Sequence, residues 1–428
     1  MNKSFTFACG QGATKAMLHC IHNGTLKRED CCIVNSTQKD IPYEYRDDAI
    51  IINDDPDAGC GKDRSYAKSL MFSFLRNNPN LIPSILPEGK YQYVNIIATT
   101  EGASGSGASV VLAKFINSLP DNFRIPIIIT LITGFETDTR GLQNTIEYFK
   151  DLDGGDFVIR TVSNKKYLDK TNNTFMAEKM ANEDISKMFK IVNAYDIVDS
   201  DQNIDDEDHY KLITNPGLMF VTEVNIDKRL KNSSQFEQIV SDTIDYNTSL
   251  DFEPSATKIG VFMNISDDNL EVVDTSFTSI KKKLCGNTDI EEFFIHRQYN
   301  PSEVEFVRII ASGINLPKDE LFDIYTKYQN RKNETEKRDD FFESISGMVT
   351  TTNNSKEEKQ NTTDDFFSKF ESEMTTSSGS GRRKRTISSR SSSPINTTDA
   401  SGGYEKKKGF TAKKSEDKPY SEDDMKGF

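Results

Sequence analysis

Glu101-Gly102-Ala103-Ser104-Gly105-Ser106-Gly107 is the stretch on which the fold turns. It lies between a β-type run at 91–100 and a helical pattern at 107–119. Alternating small residues let a backbone approach an anion closely, and serine hydroxyls add donors. At a strand-to-helix junction, the helix N-terminus supplies further N–H groups and a favourable dipole. An isolated Gly/Ser run would be read as a surface turn. Directly after a buried-type strand it reads as a phosphate loop.

Outward from this loop, β-type runs at 4–9, 31–35, 125–133 and 156–162 alternate with helical patterns at 13–21, 66–76 and 139–152. That alternation is the mark of a parallel sheet flanked by helices. Such sheets take ligands at the carboxyl ends of their strands. A long helical pattern at 175–194 follows, then an acidic stretch at 196–208, an apolar run at 212–224 and a helix at 234–248. Strands at 259–265, 291–297 and 304–311, a helix at 277–284 and a closing helix at 318–331 complete the ordered part. The expected class is α/β: a Rossmann-like parallel-sheet nucleotide domain at 1–195, connecting segments at 196–256, a smaller mixed α/β domain at 257–331 and a disordered tail at 332–428.

A second loop, Gly10-Gln11-Gly12-Ala13-Thr14, also leaves a strand and opens a helix. A dinucleotide fingerprint would need a third glycine where Lys15 stands. A Walker P-loop is excluded as well, because Gly61-Lys62 is followed by Asp63 instead of Ser or Thr.

The loop at 102–107 resembles the phosphate-wrapping signature G-G-G-T-G-S/T-G of the tubulin/FtsZ superfamily. Other segments fall in the same order. Gly10, Gln11, Gly12 and Ala13 resemble the first phosphate loop, and Ala58-Gly59-Cys60-Gly61 resembles the loop that senses the γ-phosphate. Glu136 and Arg140 have the E-x-x-x-R spacing of the ribose loop. Ser163-Asn164-Lys165 resembles the P-N-D stretch, and Ala181-Asn182-Glu183-Asp184-Ile185 resembles A-N-D-V-L, whose Asn reads the guanine edge. Leu212-Ile213-Thr214-Asn215-Pro216-Gly217-Leu218-Met219 resembles the run that precedes the synergy loop.

Taken together the chain is similar to the plasmid- and phage-encoded TubZ-type members. The resemblance implies GTP/GDP binding with Mg2+ bridging phosphates, head-to-tail protofilaments and GTP hydrolysis completed when the synergy loop of the next subunit docks. Gly102, Ala103, Ser104, Gly105, Ser106 and Gly107 would wrap the phosphates. Aligning Pro216-Gly217-Leu218-Met219 with the family run puts Thr222 and Asn225 where two aspartates are expected. Neither is a carboxylate, so Glu223 and Asp227, within two residues of them, become the candidate acids.

The sequence has 428 residues and a formal charge of −14, which argues against non-specific DNA binding by the whole molecule. Six cysteines show no CxxC pair and no zinc spacing, so no protein metal site is expected and the thiols read as reduced. With no apolar leader and no membrane-length apolar run, the expectation is a cytoplasmic protein.

Residues 382–418 carry eleven Lys or Arg and four Asp or Glu, a local charge of +7 that leaves −21 for the remainder. A basic arm of this kind suits nucleic acid or an acidic protein surface. The Asp-Asp-Phe-Phe segments at 339–342 and 364–367 suit short docking motifs. The resemblance implies that the tail contacts a DNA-binding adaptor. The functional expectation is a filament that segregates plasmid or phage DNA. A phage spindle centring replicating DNA and a nucleotide-binding scaffold with little hydrolysis are the alternatives.

Overall fold

The computed structural model describes residues 4–120, 124–193, 204–226 and 229–346, with side chains to residue 335. Apolar runs build six parallel strands: β1 Ser4–Cys9, β2 Cys31–Asn35, β3 Ala49–Ile51, β4 Tyr93–Thr99, β5 Ile127–Thr133 and β6 Phe157–Ser163. Adjacent residues on a strand face opposite sides. Ile96 and Ile97 of β4 are therefore both fully buried, each in a different apolar layer. That two-sided burial is why these strands read as nearly continuous apolar runs.

Helices cover both faces. On one side lie α1 Gln11–His22 and α7 Thr174–Asn193, whose Met17, Ala181, Ile185 and Phe189 pack on Ile97, Ile132 and Val162. On the other lie α2 Arg64–Asn77, α3 Leu81–Ile85, α4 Ser109–Asn117 and α5 Thr139–Leu152. Their Met71, Leu112 and Phe149 meet Ile96, Ile129 and Ile159. A short helix, α6 Asn164–Thr171, follows β6 directly.

After α7 come α8 Asp206–Ile213, β7 Gly217–Ile226, α9 Ser233–Asn247, β8 Lys258–Asn264, α10 Asp267–Cys285, β9 Glu292–Gln298, β10 Glu305–Ile314 and α11 Lys318–Ser346. The ten strands form one sheet in the order β3-β2-β1-β4-β5-β6-β7-β10-β8-β9. Only Val158 and Ile159 of β6 join its two halves, paired in parallel with Gly217 and Leu218. Beyond that seam, β10 runs antiparallel to both β7 and β8.

The structure alters four expectations. Strand β3 was not anticipated. Helix α10 begins ten residues earlier than the pattern at 277–284, and α11 continues past 331 to Ser346. The run at 212–224 is divided between the end of α8 and strand β7. The segments 196–203, 347–428 and Asp227 lie outside the described residues, as does the basic part of the tail.

His209 of α8 is buried, edge-on to Phe262, and burial brings its imidazole down to about 4. His296 also packs on Phe262 and is lowered by the same cause. A histidine kept neutral in the fold costs nothing above its unfolded value of about 6.5. Below that pH the unfolded chain takes up protons that the folded one refuses, and stability is lost. The urea midpoint is expected to fall as pH drops from about 6.5 towards 4. His209→Gln should flatten that slope.

Candidate functional site

At the carboxyl ends of β1, β2, β4, β5 and β6 the loops enclose a cleft of about 400 Å³. Thr99, the last residue of β4, is its structural pivot. A Cβ on Gly12 would stand 2.6 Å from Thr99 Cγ2, and one on Gly105 would stand 2.5 Å from Thr99 Oγ1 and 2.7 Å from its carbonyl oxygen. A Cβ on Gly102 would stand 2.9 Å from the same hydroxyl. Both glycine loops therefore pack backbone-first onto one side chain. Gly10 adopts a left-handed φ of 83° and lies against the Gly105 backbone.

Gly10, Gln11 and Gly12 line the cleft, and the first turn of α1 has no side-chain cap. Its N–H groups and dipole are free for an anion. Gly102, Ala103, Ser104 and Gly105 line it too, where Ser104–Ala108 form a π-type turn running into α4. Ser106 and Gly107 sit behind the lining: the Ser106 hydroxyl donates to the Gly102 carbonyl, and Gly107 lies against the Arg64 backbone. Ala13 is likewise fully buried beneath the first loop.

Gly59, Cys60 and Gly61 close another wall. The Cys60 thiol is pushed up by burial and faces the Ser36 and Ser104 hydroxyls, which are 2.8 Å apart. Asn164 and Asn182 complete the far end. Glu136 and Arg140 are placed elsewhere. Glu136 Oε2 pairs with Lys327 Nζ of α11 at 2.8 Å. Arg140 Nε donates to the Lys62 carbonyl, and its Nη2 stands 3.5 Å from Asp63. The expected ribose pair instead ties the cleft's walls to neighbouring elements.

Several lining residues carried no motif. Lys15 of α1 pairs with Glu178 of α7 at 2.9 Å, one helical turn from Asn182. Asn35, Ser36, Asp40, Lys62 and Phe135 also reach the cleft, as does Glu101 at the head of the glycine stretch. Only the i, i+4 spacing of Glu178 and Asn182 on one helix face was open to a reader of the sequence. Two buried polar atoms of the lining have no partner, Asn35 Nδ2 and Asn164 Oδ1. One is a donor near the phosphate loops and the other an acceptor towards α7, which suits a ligand that is anionic at one end and carries N–H or O–H groups at the other.

The residues expected in a synergy loop are not in a loop. Thr222, Glu223 and Asn225 belong to strand β7, paired with Ile309, Arg308 and Phe306 of β10. Thr222 is buried and accepts a hydrogen bond from Asn247, while Glu223 binds Arg308 at 2.6 Å.

This sheet order, with a long helix descending from the cleft and a second set of strands beyond it, defines a tubulin/FtsZ-type α/β fold. No family model matches the chain, and no curated protein sequence does. Among solved structures it is similar to TubZ of Clostridium botulinum phage c-st, with a TM-score of 0.60 and 16% identity over 78% of this chain and 99% of that one. It is similar to a GTPγS-form protofilament of TubZ from Bacillus thuringiensis serovar israelensis, with a TM-score of 0.64 and 13% identity over 78% and 94%. A GTPγS-bound protofilament of CetZ2 from Haloferax volcanii gives 0.63 and 15% over 77% and 99%. No helix among the described residues is long and apolar enough to cross a membrane.

Packing at Thr99 makes a stability prediction. Gly105→Ala should cost about 1–3 kcal/mol, because the methyl meets the end of β4. Gly59→Ala, with no atom within 4 Å of the added methyl, should change stability by less than about 0.5 kcal/mol. Urea unfolding of both variants checks the contrast.

Proposed function

We propose that the chain is a GTP-binding, head-to-tail polymerising GTPase of tubulin type, cytoplasmic, whose filaments segregate or position plasmid or phage DNA. The unpartnered Asn35 and Asn164 atoms, at opposite ends of a cleft walled by two glycine loops, carry the nucleotide reading. Similarity to protofilament structures of TubZ and CetZ2 supports assembly.

Gly10, Gly12 and the turn at 102–105 hold the phosphates. Asn164 and Asn182 face the base, with Glu178 one turn along α7. Among the described residues no cluster of three or more His, Cys, Asp or Glu could cage a metal. Magnesium keeps several waters and binds through one or two carboxylates plus phosphate oxygens, so it would enter with the nucleotide and neutralise phosphate charge. Asp40 is the lining carboxylate best placed to meet it, since Glu178 is paired with Lys15 and Glu101 with backbone N–H groups.

Hydrolysis in a head-to-tail polymer needs acidic groups on the face opposite the cleft. Helix α7 leads to that face. It has 20 residues, about 30 Å of helix. Asn182 lines the cleft, whereas Asn193 accepts a hydrogen bond from Tyr93, the first residue of β4. Leu212 and Ile213 of α8 pack with Tyr93, Ile128 and Val158 at the same, amino-terminal edge of the sheet.

The acidic start of α8, Asp205-Asp206-Glu207-Asp208, therefore lies at the edge opposite the cleft. We assign the acid role to Asp205 and Asp208 in place of Glu223, which is held in the β7–β10 ladder. In a head-to-tail pair their carboxylates face the water that attacks the γ-phosphate of the neighbouring subunit. Phosphoryl transfer depends mainly on such positioning and on charge neutralisation. The basic tail would reach a DNA-bound adaptor.

Right-angle light scattering after addition of magnesium and GTP, with phosphate release followed in the same cuvette, tests this reading. Scattering should rise and then decay as phosphate appears. Asp205 caps α8 by accepting the Asp208 N–H, a role that Asn also fills. Asp205→Asn and Asp208→Asn should therefore assemble normally yet release phosphate about 100-fold more slowly. Glu223→Gln should release it at close to the wild-type rate. Persistent scattering without phosphate from the wild type would favour a static scaffold, and no rise at all would remove the polymer reading.

A further inference from the structure

Glu101 is a carboxylate set in the wall of a cleft read here as binding phosphates. It lines that cleft and also a second one of about 440 Å³ on the far side of the segment between β5 and α5. Its carboxylate is turned into the segment. Glu101 Oε1 accepts the Glu136 N–H at 2.7 Å and Oε2 accepts the Phe135 N–H at 3.3 Å. Two glycines make room for it. A Cβ on Gly134 would collide with the Glu101 carboxyl group, and one on Gly141 would stand 2.9 Å from its Cδ. Asn144 Nδ2 donates to the Glu101 carbonyl at 2.9 Å, fixing the backbone from which the side chain projects.

The segment needs such a brace. Glu136 has a left-handed φ of 56°, a conformation that costs a non-glycine residue of order 1 kcal/mol. In this turn its N–H meets Glu101 Oε1. Burial pushes the Glu101 carboxyl above the usual range, while the two backbone N–H groups draw it back. The wall it holds, Gly134 and Phe135, lies in sheet order between the phosphate loops after β1 and β4 and Asn164 after β6.

We propose that Glu101 is a positioning residue that locks the segment 134–136 into the wall against which the sugar of the bound nucleotide rests, without itself holding phosphate. This rests on the nucleotide reading of the cleft. The role predicts a separation that a purely structural or a phosphate-binding role would not produce. Truncation should weaken a nucleoside triphosphate and leave inorganic triphosphate unaffected.

Two measurements on the full chain test it. Calorimetric titration with GTP and with inorganic triphosphate, each with magnesium, should show Glu101→Ala binding GTP about tenfold more weakly, the loss expected of a charge-assisted backbone contact. Its affinity for triphosphate should be unchanged. Glu101→Gln, which keeps one acceptor oxygen and the side-chain shape, should stay within about threefold of wild type for both.

In the nucleotide-free protein, hydrogen exchange at the Phe135 and Glu136 amides should accelerate at least about tenfold in Glu101→Ala and little in Glu101→Gln. Equal weakening of both ligands, or unchanged GTP affinity, overturns the proposal. So does unchanged exchange in Glu101→Ala. A wild type that binds no GTP but shows the expected exchange pattern would leave Glu101 as the brace and sink the nucleotide reading.

Discussion

Thr99 is the constraint on which the rest of the molecule depends. Its side chain at the end of β4 is met by Gly12, Gly102 and Gly105, each at a distance where no Cβ fits. Two strand-to-helix loops thereby converge, and α1 and the turn leading to α4 point their free N–H groups into the same space. A larger residue at any of the three positions would push a helix N-terminus outward, because interiors at this density do not yield locally. The cleft is therefore a product of close packing more than of loop flexibility.

The parallel half of the sheet was legible because its signals are local. Apolar runs of five to ten residues place β1, β2, β4, β5 and β6 within two residues of where they occur. The glycines at 10, 12, 102 and 105 gather because they lie in the loops and first helical turns that follow β1 and β4, while Gly59 and Gly61 come in from the longer connection between β3 and α2. Lys15 left no comparable trace, since its nearness to the cleft follows from the docking of α1 beside α7, and Asn35 ends β2 with no motif to mark it.

The seam was harder to read for a different reason. The run Leu212-Ile213-Thr214-Asn215-Pro216-Gly217-Leu218-Met219 invites a motif match that places acidic partners just after it, whereas the chain from Gly217 to Ile226 is one continuous strand, β7. A signal to the contrary was present: Met219-Phe220-Val221-Thr222-Glu223-Val224-Asn225-Ile226 is rich in β-branched residues and ends in alternation. The strand at 304–311 was visible as a strand, but its pairing with β7 could not be read, because the partners lie 79 to 96 residues apart. The acidic start of α8 has the composition of a solvated stretch, and it gains meaning only once α7 is seen to run from one edge of the sheet to the other.

Helix α11 has a mechanical consequence. It packs along α5, touches the cleft's outer wall through Lys327 and Glu136, and continues to Ser346, 19 residues or about 29 Å of helix beyond that contact. A pull on the chain's carboxyl-terminal end is delivered by this rod to the Lys327–Glu136 pair before it reaches any strand. A half-exposed ion pair resists with about 1 kcal/mol or less, far below the cost of opening the β7–β10 ladder. The contact acts as a mechanical fuse: under load the ion pair parts before the buried Ile324 that seats α11, and the sheet that carries the cleft keeps its shape.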